Sequence, residues 1–217
     1  MTRAALLLTL ALFLTLAACA GTPPGSGDGG GKRVMVYRCP DGFAFVAELG
    51  SDLAWLFLPG RTIRLPRVAA GPGERFADAG YRFHPGGGQA LLETPTGSHS
   101  GCRNDPRQAV WEKAKLDGVD FRAVGNEPGW YLEIRDRRSI LLVTDYGTRR
   151  HLFADPVRTG DRRAPRTRYL GRSGDDRLEV ILEPGPCSDT MADETYETRV
   201  TVSLNGRLLR GCGKALH

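Results

Sequence analysis

Five cysteines are the residues of this 217-residue chain whose types and spacing could carry chemistry. Cys39 and Cys102 bracket one stretch, Cys187 and Cys212 lie close to the end, and Cys19 stands near the start. Thiols in such numbers serve as disulfides, metal ligands or redox centres, and the compartment decides among them. The first eighteen residues speak to the compartment. Arg3 gives a positive start, Ala4 to Leu16 is apolar except for Thr9 and Thr15, and the small residues Ala17 and Ala18 follow. That is the layout of a secretory signal, too short and wrongly flanked for a spanning helix. An exported chain meets an oxidising medium, so the pairing expected is Cys39–Cys102 and Cys187–Cys212. In the chain-entropy picture these loops stabilise by roughly 4 and 3.5 kcal/mol. Small β units bury little core and benefit from such a staple. A zinc site or redox pair is the rival use of the thiols. Neither C-x-x-C nor H-E-x-x-H occurs, and His84, His99, His151 and His217 are scattered, so no metal or cofactor is expected.

Other residue types invite weaker readings. Ser98, His99 and Asp105 are hydrolase types, but no strand-turn-helix nucleophile elbow surrounds them. Pro85-Gly86-Gly87-Gly88 resembles a phosphate cradle in composition only, since no lysine-bearing helix start follows; a hairpin loop fits better. Glu127, Trp130 and Asp189 could line a binding site. The plainer alternative makes Trp130 core, Glu127 a turn cap and Asp189 the start of a short helical turn. Catalytic residues are therefore not assigned. Net charge is +5, from 30 basic and 25 acidic residues, and no segment is a basic arm. Six arginines between Arg158 and Arg172 could meet anionic headgroups, or simply be a solvated surface. Nucleic acid is not an expected partner, because the aromatic interleaving of a stacking platform is missing.

The elements that must position these residues are mostly strands. Residues 20–31 read AGTPPGSGDGGG, a flexible tether with nothing to bury. Between 33 and 102, strands are predicted at Val34 to Arg38, around the alternating Phe43, Phe45, Ala47 and Leu49, at Leu53 to Leu58 and at Thr62 to Leu65. Glu74 to Ala77, Tyr81 to His84 and Gln89 to Glu93 continue the series. Asn104-Asp105-Pro106 predicts a helix start, with the helix running to about Lys115 and ending before Gly118. Val110 and Ala114 are expected on one face, with Trp111 packing on a neighbouring domain. Beyond it, Tyr131 to Ile134 and Ile140 to Thr144 form a hairpin, Arg177 to Leu182 is a strand, and Asn205-Gly206 predicts a type I′ hairpin between Thr198 to Leu204 and Arg207 to Cys212. The run from Arg158 to Arg172 is expected to be a long loop.

Three resemblances add to this reading. Leu16-Ala17-Ala18-Cys19 resembles the lipobox of bacterial lipoproteins, which implies cleavage before Cys19 and fatty acylation of its thiol. Multiple acyl chains anchor stably, at about 0.8 kcal/mol per buried methylene. Ala20 fits the sorting rule for the outer membrane. An ordinary signal cut after Ala18 or Ala20 is the alternative.

The frame Tyr37-Arg38-Cys39 to Cys102 resembles the membrane-bound inhibitors of c-type lysozyme. Their motif Y-x-x-x-[ST]-K-G-x-x-A-x-L falls on Tyr81, Pro85, Gly86, Gly87, Ala90 and Leu92, and S-G-x-x-Y on Pro72, Gly73, Glu74, Arg75 and Phe76. The resemblance implies that Gly73, Glu74, Arg75, Phe76, Tyr81, His84, Gly86 and Gly87 are the loop residues that reach a lysozyme. In that family, hydroxyls and a lysine engage the catalytic carboxylates; Pro72, Pro85 and Gly86 replace them here. Residues 32–102 also carry net +2, which gives no steering toward the basic c-type lysozymes.

Residues 119–217 resemble an uncharacterised domain of bacterial envelope lipoproteins through Gly125-Asn126-Glu127-Pro128-Gly129-Trp130, Pro186 to Met191 and Gly211-Cys212-Gly213. The family pattern has phenylalanine where Gly129 stands.

The expectation is a mainly β chain, two small antiparallel barrel or sandwich domains joined by a single helix. Its parts are a signal peptide over 1–18, a tether over 19–32, an inhibitor-like domain over 33–102, a helical linker over 103–118 and a second β-rich domain over 119–217. The expected role is a non-enzymatic, lipid-anchored inhibitor of c-type lysozyme facing the periplasm from the outer membrane. The competing expectation is an envelope scaffold or ligand-binding lipoprotein that keeps only the inhibitor fold.

Overall fold

Alternation with period two runs through most of the chain after Lys32, and strands with one buried face are its physical consequence. The computed structural model describes residues 31–69, 71–161 and 165–217. The expected signal peptide, Cys19 and most of the expected tether lie outside the described residues. Lys32–His217 form one compact unit holding two antiparallel sheets and a single α-helix.

The first sheet contains β1 (Arg33–Arg38), β2 (Ala44–Leu49), β3 (Leu53–Leu58), β4 (Arg61–Pro66), β5 (Phe76–Asp78), β6 (Tyr81–Gly86), β7 (Gln89–Thr94) and β8 (Gly97–Asn104). Strand order is β4-β3-β2-β1-β8-β7-β6-β5, an up-and-down meander whose first and last strands pair. A bridge from Arg67 to Phe76 and a hydrogen bond from the Val68 amide to the Arg75 carbonyl bring the two ends together, so the sheet closes on itself. The inward positions Tyr37, Phe45, Ala47, Leu49, Leu56, Phe76, Phe83 and Leu92 fill the interior. Tyr37 stacks on Phe45 at 5.2 Å, and Phe83 meets both rings edge-on.

α1 (Pro106–Leu116) follows β8 directly. The Asp105 carboxylate caps it by accepting the Gln108 amide at 3.1 Å, and proline occupies the first turn. Asn104 and Asp105 also bind the backbone of Val36, which fixes the helix start against β1. The buried residues are Ala109, Trp111 and Ala114, whereas Val110 is half exposed. Val110 and Ala114 therefore do not share the buried face that the sequence suggested. Trp111 decides the orientation, because its large ring finds a hydrophobic bed on the second sheet.

The second sheet holds β9 (Phe121–Asn126), β10 (Gly129–Arg135), β11 (Ser139–Thr144), β12 (Arg149–Ala154), β13 (Val157–Asp161), β14 (Arg166–Ser173), β15 (Asp176–Asp189), β16 (Glu194–Leu204) and β17 (Arg207–Ala215). Strand order is β12-β11-β10-β9-β17-β16-β15-β14-β13. The arginine-rich run from Arg158 to Arg172 is thus not a long loop. It supplies β13 and β14, paired from Val157↔Leu170 to Asp161↔Arg166. Arg158, Arg166 and Arg168 point outward and reach acids, as in Arg158–Asp136 at 3.1 Å and Arg168–Glu179 at 2.6 Å, so composition disguised a solvated outer strand. Asn205 and Gly206 both have positive φ, 51° and 86°, as a type I′ turn requires.

Candidate functional site

The inhibitor-like segments meet at one end of the first barrel. Phe76 pairs with Phe83, so the chain before Phe76 leaves the barrel at the end toward which β6 runs. The turn at Gly87 and Gly88 lies at that end, where the Gly88 carbonyl accepts the Asn104 amide at 2.8 Å. Positive φ at Gly73, Gly87 and Gly88 lets the chain turn there without strain. A small groove of about 140 Å³ is lined by Val68, Arg75, Arg82 and His84, among others. Glu74 is held by Arg33 at 2.5 Å and Arg67 at 3.9 Å. Arg75 is exposed and has no carboxylate within 4.0 Å among the described residues. His84 lies 3.9 Å from Glu93.

Two of the loop residues expected from sequence stand elsewhere. Phe76 is fully buried in the core, where its ring stacks on Phe83 at 6.3 Å. Tyr81 sits at the opposite end of the barrel, beside Phe43, Leu58 and His99, with its hydroxyl accepting from Arg61 at 2.9 Å. A tyrosine at the start of β6 cannot reach a loop that follows the strand's other end. The structure does bring Gly73, Glu74, Arg75, His84, Gly86 and Gly87 together. Tyr37, fully buried, points a hydroxyl without a hydrogen-bond partner toward this end, and burial pushes its pKa up to about 12.

The hydrolase types are not a triad. His99 bonds Asp41 at 2.6 Å and stacks on Phe43, while Asp105 caps α1. The hydrogen bond from His99 holds the Asp41 carboxyl below its usual range. Among the described residues no group of three His, Cys, Asp or Glu side chains could hold a metal ion.

Both expected disulfides form. Cys39–Cys102 occupies the rung after Arg38↔Arg103, where the first barrel's end strands meet. Cys187–Cys212 lies on the outer face of the second sheet beneath α1, and Cys212 shares a cluster with Trp111 and Tyr196. The indole and phenol rings are 5.2 Å apart.

The glycine-rich motifs of the second sheet have a steric cause. Trp130 is core and pairs with Gly125. A Cβ on Gly125 would overlap the indole nitrogen and come within 2.6 Å of the Arg210 carbonyl; one on Gly211 would come within 2.7 Å of the indole. The two glycines form a slot that admits the ring. At Gly129 the face of Tyr146 occupies the place of a side chain, 2.7 Å from where a Cβ would be. Glu127 and the cis-linked Pro128 make the β9–β10 turn, as the plainer reading held. Asp189 ends β15 and opens the turn that follows, its carboxylate accepting from the amides of Met191 and Ala192 and from Asn126 at 2.5 Å.

A cleft that the sequence did not reveal lies beside Cys187–Cys212. It measures about 460 Å³ and is lined by Asn126, Ser188, Arg199, Thr201 and Arg210, with Glu183 and Asp189 at its margins. Its residues come from three consecutive strands, β15 to β17, and from the distant β9, which register brings to their side. Comparison with protein-family models, curated proteins and solved structures finds no match for the chain.

Proposed function

We propose that this chain is a lipid-anchored, periplasm-facing binding protein rather than an enzyme, and that the first barrel engages the catalytic cleft of a c-type lysozyme. The observation that carries this reading is the convergence of the Gly73–Arg75 segment with His84 and the Gly86–Gly88 turn, which presents an exposed Arg75 without a carboxylate partner. Arginine binds a carboxylate through two parallel hydrogen bonds and can stand in for a missing lysine. Each hydrogen bond to a charged group contributes about 1.5–3 kcal/mol. The test is the rate of peptidoglycan cleavage by a c-type lysozyme in the presence of residues 32–217. Inhibition is expected at micromolar concentration, weakened about tenfold by R75A. Undiminished cleavage at that concentration would refute the inhibitor reading.

The second reading, an envelope scaffold or ligand-binding lipoprotein, is favoured by Pro72, Pro85 and Gly86. None of them can donate a side-chain hydrogen bond into a lysozyme cleft. Stable co-purification of an envelope component, together with unhindered lysozyme, supports it.

A further inference from the structure

The cleft on the outer face of the second sheet contains two arginines whose nearest acids are occupied. Val200 and Val202 point into the core, so Thr201 and Arg199 point out; on β17, Leu209 points in and Arg210 out. The register pairs Thr201 with Arg210 and Arg199 with Cys212. Arg199 and Arg210 are therefore diagonal neighbours on adjacent strands, within mutual reach for long side chains.

Register also places Glu183 directly opposite Arg199, yet no ion pair forms between them. Glu183 lies 3.9 Å from Arg166 instead. Arg199 leans over the β15 bulge, and a Cβ on Gly185 would sit 3.0 Å from a guanidinium nitrogen. Gly185 has φ of 143°, so this position is shaped both for a glycine and for the flat head of Arg199 above it. Asp189, the other acid lining the cleft, is buried and accepts three hydrogen bonds, two from the amides of its own turn and one from the Asn126 side chain on β9. Neither Arg199 nor Arg210 has a carboxylate within 4.0 Å among the described residues.

We propose that this cleft binds a small molecule through an oxyanion, a carboxylate or phosphate, clamped between Arg199 and Arg210. Two guanidinium forks suit a planar or tetrahedral oxyanion, and Thr201 and Ser188 bring hydroxyls to the same space. The volume falls within the range of small-molecule sites. The Cys187–Cys212 disulfide at its floor gives the strands a fixed base, which limits the ordering cost of binding. This site is separate from the barrel end assigned to lysozyme, so either assignment can fail alone.

The experiment is a titration of residues 32–217 with inorganic phosphate and, separately, with glutarate, followed by amide and arginine side-chain NMR. Saturable binding of at least one probe is expected, with a dissociation constant near or below about 1 mM and shifts centred on Asn126, Thr201 and Gly211. The preferred probe tells carboxylate from phosphate. The double variant R199A/R210A should lose at least about tenfold in affinity. R172A/R177A is the control: it removes an exposed cross-strand arginine pair from the same sheet outside the cleft and should leave affinity unchanged. The side chains of Arg199 and Arg210 are exposed, so both variants should keep the wild-type spectrum elsewhere. Failure of both probes to saturate, shifts spread over all arginines, or equal loss in the control would overturn the proposal.

Discussion

In the first sheet the closing strands β1 and β8 share only two register pairs, Tyr37↔Asn104 and Arg38↔Arg103, the second setting like charges opposite each other. The Cys39–Cys102 bridge takes the next rung and supplies covalently what the ladder lacks. In the second sheet, β9 and β17 share four pairs, from Cys212↔Val124 to Ala215↔Phe121, and no covalent link stands there. Its disulfide lies instead under the helix. The edge strands of that sheet, β12 and β13, do not pair, whereas the edges of the first sheet, β4 and β5, meet through the Arg67–Phe76 bridge. Side chains cover the gap between β12 and β13: Phe153 of β12 lies on Gly171 of β14, and His151 bonds Asp176 at 2.8 Å. The two meanders thus differ at both joints. A covalent rung reinforces the seam of first and last strands in one where a longer ladder serves in the other. The sheet edges meet through a backbone bridge in one and a ring on a glycine in the other.

The disulfides test that contrast most strongly. C39S/C102S should destabilise the chain by about 4 kcal/mol and speed amide exchange first along β1 and β8. C187S/C212S should cost about 3.5 kcal/mol in the same loop-entropy picture and shift the fluorescence of Trp111 while β9–β17 exchange stays slow. Identical exchange patterns in the two variants would break the comparison.

A smaller effect concerns the glycine contacts. G171A places a Cβ 2.9 Å from Phe153, and overpacking of this kind costs about 1–3 kcal/mol by chemical denaturation. Pairing it with F153L should recover part of the loss. Additive costs in the double variant would show that the ring and the glycine are not coupled.

The smallest effect is on pH. Hydrogen bonds from Asn205 and then His151 hold the Asp176 carboxyl below its usual value. A depressed folded pKa means stability that is complete above the unfolded value, near 3.9, and is lost as pH falls through the folded one. Acid should therefore loosen β12 below about pH 4, read as faster exchange in Arg149–Ala154, and D176N should flatten that dependence.

Much of this architecture was legible before any coordinates. Period-two alternation at Phe45, Ala47 and Leu49 marks an inward face because consecutive residues of a strand alternate sides. Asn205-Gly206 and Asn104-Asp105-Pro106 signal a hairpin and a helix start because their backbone preferences are local. The cysteine pairing followed from assigning one bridge to each of the two expected β-rich segments. β13 and β14 were hidden because arginines crowd their exposed side, and Phe76 was assigned to a loop although the core claims it.

The one-dimensional chain determined where strands alternate and where they turn, since those depend on near neighbours. Only the fold decided that Trp130 rests in a slot made by Gly125 and Gly211, that Tyr81 stands opposite the loops it was grouped with, and that Arg199 and Arg210 share a cleft. Those relations arise from exact strand register and sheet closure, which fix the face each side chain takes and bring distant strands such as β9 and β17 together. A hairpin signal locates a turn without settling either.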